Sequence, residues 1–357
     1  MASKFAIVAL TQQGARTAVE LAQLLHAQSN YQVTVFLAAK VQAQWPQTHS
    51  FGSGEMPKLL QQLFRQQDCV ICIMATGIVV RILAPVIQDK TLDPAVIVLD
   101  EKAHHVISLL SGHVGRANQW TLEISSLLHS QAVITTATDT ENVQALDVMA
   151  QKVHGWYPNF KANTKWINGL LANHETVYLY IEPYLEPYFD NFNGLTRVES
   201  WEQIPDTAPL VILSDHINFP KRERVVHVIP QINVLGIGCR KNITYQMLQQ
   251  AFTEFCDFYQ LASLSFCAMA SIDLKQSEPA IQYLSRQLGI PVTFYTANQL
   301  QHTHQQYPAS SFVQRVTGVG NVACAAADVK SQQAALTDKF VKNQVTLALG
   351  RKQIKEK

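Results

Sequence analysis

One stretch of the sequence concentrates the side chains that acid–base chemistry requires. Between Asp100 and Asn118 stand two carboxylates, three histidines, two serines and an arginine. Opening an ester or a lactone needs a general base that activates water or a serine, and hydrogen-bond donors for the tetrahedral oxyanion. His113 and Ser111, with the backbone amides that follow Gly112, could supply both functions. We therefore assign His113 and Ser111 as the candidate catalytic residues.

Some of these residues, and one cysteine pair, also fit structural roles, and those interpretations stay open. His104 and His105 could cap a surface turn, and Ser111 could cap the helix that follows it. A zinc site built from the three histidines is less favoured, since adjacent histidines on a strand point to opposite faces. Cys69 and Cys72 have C-x-x-C spacing but lie in an apolar strand, so we interpret them as core residues rather than as a redox or zinc pair.

Three glycine-bearing turns follow predicted strands, at the position where open α/β sheets bind ligands. Glycine there lets backbone amides approach a ligand, and the N-terminus of a following helix favours an anion. The candidate ligand contacts in these turns are Thr76, Gly77, Gly112, Gly115, Gly236 and Gly238. Each glycine could equally serve only to permit a tight turn. Lys241 occupies the place of the third glycine of a dinucleotide fingerprint, and the sequence contains no Walker lysine pattern.

Charged residues next to glycines extend the candidate binding site. Arg240 directly follows a glycine turn and could clamp a carboxylate through two hydrogen bonds, or it could be an ordinary solvated arginine. Asp139 follows a predicted strand and either caps the next helix or contacts the ligand. Glu278 precedes a helix that it could simply stabilise; with Gly318 and Gly320 it would otherwise complete a site in the last third of the chain.

Composition excludes several classes of protein. The chain has 357 residues, of which 47% are hydrophobic and 15% charged, with a formal net charge of +1. The hydrophobic fraction is ample for packed cores. A net charge so close to zero gives no electrostatic basis for nucleic-acid binding. Neither a signal-like segment nor an apolar run of about 18 residues occurs, so we expect neither export nor a membrane span. Six cysteines in so long a chain indicate reduced thiols, and we expect a cytoplasmic protein.

The elements that would position these residues alternate between strands and helices. Strand-like segments alternate with segments of helical periodicity, notably a predicted helix at about residues 114–128. The same alternation occurs again after residue 232. We predict the α/β fold class, with two α/β domains of mainly parallel sheets joined by a smaller middle α/β domain. The predicted boundaries are 1–138 for the N-terminal α/β domain, 139–231 for the middle domain and 232–357 for the C-terminal α/β domain.

Several short runs resemble, in order and spacing, those of a known family. They include Met74-Ala-Thr-Gly-Ile-Val-Val-Arg81, Ser108-Leu-Leu-Ser-Gly-His-Val-Gly115, Thr135-Thr-Ala-Thr-Asp139, Gly236-Ile-Gly-Cys-Arg240, Ala270-Ser-Ile-Asp-Leu-Lys275 and Gly318-Val-Gly320. Each run alone is weak evidence. Together they resemble the CbiG family of cobalamin biosynthesis, the cobalt-precorrin-5A hydrolases, over nearly the whole chain.

The resemblance implies an enzyme of the anaerobic route to vitamin B12. Its substrate would be a cobalt-bearing tetrapyrrole whose δ-lactone is opened with loss of acetaldehyde, giving cobalt-precorrin-5B. We expect His113 to activate water, backbone amides at residues 111–115 to hold the oxyanion, and Arg81, Lys90 and Arg240 to bind substrate carboxylates. Because the substrate carries the cobalt, we expect no cofactor and no metal bound by the protein.

Partners and alternatives follow from the same resemblance. The expected partners are the tetrapyrrole, neighbouring pathway enzymes that receive the product, and a second copy in a homodimer, but neither nucleic acid nor membrane. A non-catalytic corrinoid carrier and an α/β enzyme for a phosphate-bearing ligand remain open. Two departures from the family pattern leave substrate preference open: Arg116 replaces a common glycine, and residues 321–326 lack the usual serine and acidic pattern.

Overall fold

The chain folds into two compact units, Met1–Asn142 and Val143–Lys357, each with its own packed hydrophobic clusters. This computed structural model describes residues 2–28, 30–219, 221–304 and 307–354. None of the helices in these ranges combines the length and the apolar character needed to cross a bilayer.

The described residues of the first unit form a seven-stranded sheet with helices packed on both faces. Its strands are β1 (Ser3–Ala9), β2 (Tyr31–Ala38), β3 (His49–Phe51), β4 (Cys69–Ile73), β5 (Ala95–Leu99), β6 (His105–Leu110) and β7 (Gln131–Val133). Its helices are α1 (Gln12–Ala27), α2 (Ala39–Gln42), α3 (Met56–Gln66), α4 (Thr76–Leu83), α5 (Ala117–Leu128) and α6 (Ala137–Thr140). The strand order across the sheet is β3-β2-β1-β4-β5-β6-β7.

Burial on both faces explains why the central strands read as continuous apolar runs. In β1, Phe5 packs in one hydrophobic layer and Ala6 in the opposite one. Strand geometry separates Cys69 and Cys72 of β4 in the same way, and both side chains are fully buried. Burial raises the pKa of the Cys72 thiol to about 12, so this thiol stays protonated near neutral pH. These facts agree with the interpretation of this pair as core residues.

The direction of β6 decides where the site residues of this unit meet. Strands β1 to β5 are parallel, β6 pairs antiparallel with β5, and β7 pairs parallel with β6. The carboxyl ends of β6 and β7 therefore lie at the edge of the sheet where β1 to β5 begin. The carboxyl ends of β4 and β5 lie at the opposite edge.

The described residues of the second unit form two sheets, and the first of them lies in the predicted middle region. It is built from β8 (Gly155–Trp156), β9 (Val177–Ile181), β10 (Leu195–Arg197), β11 (Leu210–Leu213) and β12 (Val225–Pro230), with α7 (Leu146–Lys152) and α8 (Phe160–Ala172). The order among the described residues is β10-β9-β11-β12-β8, and only the short β8 runs antiparallel to its neighbour in this sheet. The predicted middle region is therefore folded around a sheet of its own.

The last sheet carries the glycines of the C-terminal part. Its described strands are β13 (Asn233–Cys239), β14 (Phe266–Ile272), β15 (Val292–Tyr295), β16 (Phe340–Lys342) and β17 (Val345–Arg351), in the order β15-β14-β13-β17-β16. The helices are α9 (Tyr245–Tyr259), α10 (Pro279–Leu288), α11 (Ala297–His304), α12 (Ser311–Thr317) and α13 (Val322–Ser331). Strands β13 to β15 are parallel, whereas β17 pairs antiparallel with β13 and β16.

Three mixed, mainly parallel sheets interleaved with helices confirm the predicted α/β fold class. One predicted boundary is wrong at the candidate site: the helix expected from residue 114 begins at Ala117. Arg116 has a backbone φ of +67°, which a right-handed helix does not accommodate, so it lies outside the helix in the Ncap position. The segment before it is left as a tight turn.

Candidate active site

The turn between β6 and α5 is closed by its own backbone. The amide of Ala117 donates to the Ser111 carbonyl over 3.1 Å, and the amide of Asn118 donates to the Gly112 carbonyl over 3.0 Å. A side chain at position 112 would place its Cβ 2.7 Å from Asn118 Oδ1, so only glycine fits there. The turn therefore presents His113 from a backbone that is held at both ends.

Close packing also accounts for the end of this turn. A Cβ on Gly115 would lie 2.4 Å from the Cβ of Ser111, so glycine is needed here for packing as well. The guanidinium carbon of Arg116 lies 5.2 Å from the ring centroid of Trp120, and its Nε donates to Gln119 Oε1 over 3.0 Å. Arg116, one of the two departures from the family pattern, therefore packs along α5.

His113 and Asp139 form a hydrogen-bonded pair. Nε2 of His113 lies 2.9 Å from Oδ2 of Asp139 and 3.2 Å from Oγ1 of Thr138. The His113 side chain is 13% exposed and that of Asp139 is 36% exposed, so the pair is reachable from solvent at the carboxylate. An ionised carboxylate accepts the Nε2 proton, which places the lone pair of the neutral ring on Nδ1. In that tautomer Nδ1 is the ring nitrogen that can accept a proton.

Asn118 connects this pair to the rest of the site. Its Nδ2 donates to Asp139 Oδ2 over 2.9 Å and to Thr136 Oγ1 over 3.0 Å, and its Oδ1 accepts from Ser108 Oγ over 2.6 Å. The side chain is only 5% exposed, so these bonds hold Asp139 in a fixed orientation. Asn118, Thr136 and Thr138 are not among the site residues predicted from the sequence. Asn118 could have been found as a polar residue on the helix face that the apolar periodicity predicts to be buried.

Ser111, directly after β6, has a backbone conformation that non-glycine residues rarely adopt and a buried hydroxyl. Its φ is +60°, a conformation that costs a non-glycine residue about 1–3 kcal/mol and that clusters at functional sites. Its Oγ is buried and has no hydrogen-bond partner among the described residues. Buried polar atoms without a partner are uncommon in folded proteins, and the assignment of Ser111 as a catalytic residue stays a prediction.

The opposite edge of the sheet holds another part of the predicted site. Thr76 begins α4 after β4, and Arg81 Nη1 donates to the Gly77 carbonyl over 3.1 Å. Thr76 lines a cleft of about 440 Å³ together with Asp100 and His105. His105 begins β6, whereas His113 follows its end, so the length of the strand separates them. The reversal of β6 thus places Thr76, Gly77 and Arg81 away from His113.

Lys90 lies on the His113 side of the sheet. It is an exposed residue in the segment that leads from α4 into the first residue of β5, and β5 begins at the edge where β6 ends. His104 and His105 instead lie within 3.7 and 3.6 Å of Asp100 at the opposite edge. Within the described ranges, no group of three or more His, Cys, Asp or Glu side chains is arranged to hold a metal ion.

Three of the predicted residues in the second unit have structural contacts. A Cβ on Gly236 would lie 2.0 Å from the Ala323 carbonyl oxygen, so glycine is needed for α13 to pack on β13. Gly318 has φ +76° and ends α12, a conformation that favours glycine. Glu278 is 4% exposed, and its Oε2 accepts from the amide of Asn242 over 3.1 Å, which holds the turn after Arg240.

The other three, Gly238, Arg240 and Gly320, line a cleft of about 800 Å³ at the end of β13. Cys239 lines the same cleft, and burial raises the pKa of its thiol to about 11. This thiol is protonated near neutral pH and is not a nucleophile. The sequence-predicted residues of the second unit are therefore divided between packing and this cleft.

These features define a class: an α/β protein with a histidine–carboxylate pair in its first unit and a cleft at a strand end in its second unit. Two family models match the chain, Cobalamin synthesis G N-terminal over residues 58–139 and Cobalamin synthesis G C-terminus over residues 233–350. His113, Asp139 and the 800 Å³ cleft all lie inside the matched segments.

Curated relatives extend this match over most of the chain. A cobalt-precorrin-5A hydrolase of Salmonella typhimurium is 34% identical over 301 residues, which is 83% of this chain and 86% of the relative. A cobalt-precorrin-5A hydrolase of Priestia megaterium is 28% identical over 89% of this chain and 86% of its own length. The chain belongs to the cobalamin synthesis G family.

Solved structures of related name also align with the chain. A cobalamin biosynthesis protein G homologue from Sulfolobus solfataricus aligns with 98% of this chain and 97% of its own, with 16% identity and a TM-score of 0.42. CobE, a protein of the cobalamin pathway, aligns with 36% of this chain and 95% of its own, with 27% identity and a TM-score of 0.33.

Proposed function

We propose that this chain is a hydrolase that opens the δ-lactone of cobalt-precorrin-5A, releasing acetaldehyde and giving cobalt-precorrin-5B. The observation that carries the proposal is the 34% identity to a cobalt-precorrin-5A hydrolase over 86% of that relative's length. The His113–Asp139 pair supports it, because lactone opening requires a general base. The cobalt belongs to the substrate, and the proposal requires no cofactor.

In the proposed mechanism, His113 Nδ1 removes a proton from a water that attacks the lactone carbonyl. Asp139 holds the proton on Nε2 and stabilises the imidazolium that forms. Amides at residues 111–115 support the oxyanion; those of Arg116, Ala117 and Asn118 already donate within the turn. The acyl carbon–oxygen bond then breaks to give a carboxylate and an alcohol. In the next step the hydroxyl of that alcohol loses its proton to water, a carbon–oxygen double bond forms and the carbon–carbon bond to the macrocycle breaks. Acetaldehyde leaves, and the electron pair of the broken bond stays on the macrocycle, which takes up a proton.

The test is anaerobic incubation of the purified protein with cobalt-precorrin-5A. We expect loss of a two-carbon unit by mass spectrometry, with acetaldehyde trapped in equal amount. His113→Ala should lower kcat by about 10²–10⁴-fold while substrate binding is retained. Full turnover by this variant would show that His113 is not the base. Tight binding by the wild-type protein without turnover would instead favour a corrinoid carrier.

The same proposal includes a cytoplasmic location, transfer of the product to neighbouring pathway enzymes and a homodimer. Free thiols support the location, since all six cysteines, each in a described segment, are unpaired. Sedimentation of the full chain measures the oligomeric state, and a monomer at micromolar concentration would contradict the homodimer.

A further inference from the structure

The 800 Å³ cleft of the second unit has a positively charged lining. Of its described lining residues, four are cationic, Arg240, Lys241, Lys275 and Lys339, and none is an aspartate or a glutamate. They come from three places in the fold: the turn after β13, the end of β14 and the approach to β16. The whole chain has a net charge of only +1, so this is a local concentration of charge.

The salt bridges of the described residues leave these four cations without an acidic partner. Among the described residues, none of them takes part in an ion pair. Like charges gathered in one concave surface repel each other and attract anions. The cleft is therefore suited to a ligand that carries several negative charges.

The N-terminus of α13 opens onto the same cleft. Val322 and Ala323 line it, and their amides, in the first turn, have no acceptor within the helix. Asn321 caps the helix by accepting from the amide of Cys324 over 3.1 Å. Asn321 also lines the cleft and is 4% exposed, and its buried Nδ2 makes no hydrogen bond to an oxygen or nitrogen among the described atoms. The neighbouring thiol of Cys324, a weak acceptor, is the group that interacts with it. A buried amide donor with only a weak acceptor, at a helix N-terminus, indicates an anionic ligand group.

Gly238 leaves the space beneath this helix end open. A Cβ built there would lie 3.7 Å from Val322 Cβ and 3.8 Å from the Ala323 nitrogen, which is ordinary contact. Its φ does not lie in the left-handed region. Neither packing nor backbone conformation therefore requires glycine, in contrast to Gly236. The absence of a side chain keeps the first-turn amides of α13 accessible from the cleft.

We propose that this cleft binds the peripheral carboxylates of the tetrapyrrole substrate, with Asn321 and the α13 amides receiving one carboxylate and the four cations its neighbours. This inference rests on the proposed function for the identity of the ligand. The cleft chemistry itself requires only a polycarboxylate whose negative groups are spread over a broad face. The second unit would thus supply affinity for the acidic rim of the macrocycle.

The experiment uses the full chain and uroporphyrin I, a metal-free tetrapyrrole that carries eight carboxylates, with binding followed by its fluorescence. The test variant is Lys275→Gln/Lys339→Gln. The matched control is Lys165→Gln/Arg286→Gln, which removes the same charge from exposed positions of the same unit outside the cleft. We expect the Kd to rise at least about tenfold in the test variant and to stay unchanged in the control. Coproporphyrin I, with four carboxylates, should bind the wild-type protein more weakly.

Kinetics separate this inference from the proposed function. With cobalt-precorrin-5A, the test variant should show a raised KM and a nearly unchanged kcat. Wild-type turnover together with unchanged Kd and KM in the test variant would overturn the cleft assignment and leave the hydrolase in place. Lack of wild-type turnover, with uroporphyrin binding still lost in the test variant only, would overturn the hydrolase and support the cleft. Equal loss in test and control variants would overturn the cleft assignment, because it would show nonspecific charge attraction.

Discussion

At the scale of single residues, one oxygen of Asp139 accepts two hydrogen bonds, from His113 Nε2 and from Asn118 Nδ2. The first bond selects the histidine tautomer, and the second prevents the carboxylate from rotating away. In the proposed mechanism Asp139 would therefore act through His113, as a positioning residue.

Asp139→Asn tests this role. The asparagine amide can present an NH₂ group to Nε2, which would favour the wrong tautomer, so we expect kcat to fall by about 10²–10⁴-fold with KM little changed. Steady-state kinetics with cobalt-precorrin-5A measure both constants. Asp257→Asn, at an exposed position near the end of α9, is the control and should keep wild-type kinetics. A matching fall in the control, or wild-type kcat in Asp139→Asn, would contradict the assignment.

At the scale of elements, the contact between β13 and α13 gives two glycines different functions. Residues 322–327 are mostly alanine, and these small side chains let the helix approach the strand until the Ala323 carbonyl meets Gly236. This close approach gives a structural reason for the alanines in the segment that departs from the family pattern. Gly238, two residues further along the same strand face, meets the open N-terminal end of the helix instead.

Two alanine substitutions separate these functions. Gly236→Ala forces a methyl group against a backbone oxygen, so we expect it to lower the free energy of unfolding by about 1–3 kcal/mol or more. Gly238→Ala meets only ordinary contacts and should change stability by less than about 0.5 kcal/mol, while weakening uroporphyrin binding. Urea unfolding of both variants is the measurement. Equal destabilisation by the two changes would contradict the distinction.

At the scale of the whole molecule, a buried ion pair joins the two sheets of the second unit. Asp215, fully buried after β11, accepts from Arg351 Nη2 of β17 over 2.6 Å, from Asn233 Nδ2 of β13 over 2.7 Å and from the Tyr184 hydroxyl over 2.5 Å. Burial alone would raise the pKa of Asp215, but Arg351 and the hydrogen bonds from Tyr184 and Asn233 outweigh it and lower this pKa below the ordinary value.

This lowered pKa predicts acid sensitivity. The unfolded chain binds the proton at a pKa near 3.9, above the folded value, so the stabilisation is complete above about pH 5 and is lost as pH falls through the folded pKa. Urea unfolding at several pH values between 7 and 3 measures the effect. Asp215→Asn should be about 3–5 kcal/mol less stable at pH 7, because Arg351 loses its partner. The variant should also lose this part of the pH dependence, and an unchanged acid profile would contradict the prediction.

Short-range patterns in the sequence were sufficient to predict the fold class, the turn that carries His113 and the family. Apolar runs of strand length and helical periodicity predicted the α/β class, because burial on both faces of a sheet leaves its signature in consecutive residues. His113 and the glycine turn that carries it could also be predicted, because all of these residues lie within a run of about eight. The family resemblance likewise depended on short runs, and it is confirmed by the two family models and by the Salmonella typhimurium relative.

Which of these residues lie together depends on contacts between segments that are distant in the chain. The antiparallel pairing of β6 with β5 sent Thr76 and Arg81 to one edge of the sheet and His113 to the other. The cationic cleft joins Arg240, Lys275 and Lys339, which lie far apart in the chain. Strand direction and such groupings depend on pairing between distant segments, which neighbouring residues do not encode. The sequence therefore determined the elements and their chemistry, whereas long-range packing determined the sites.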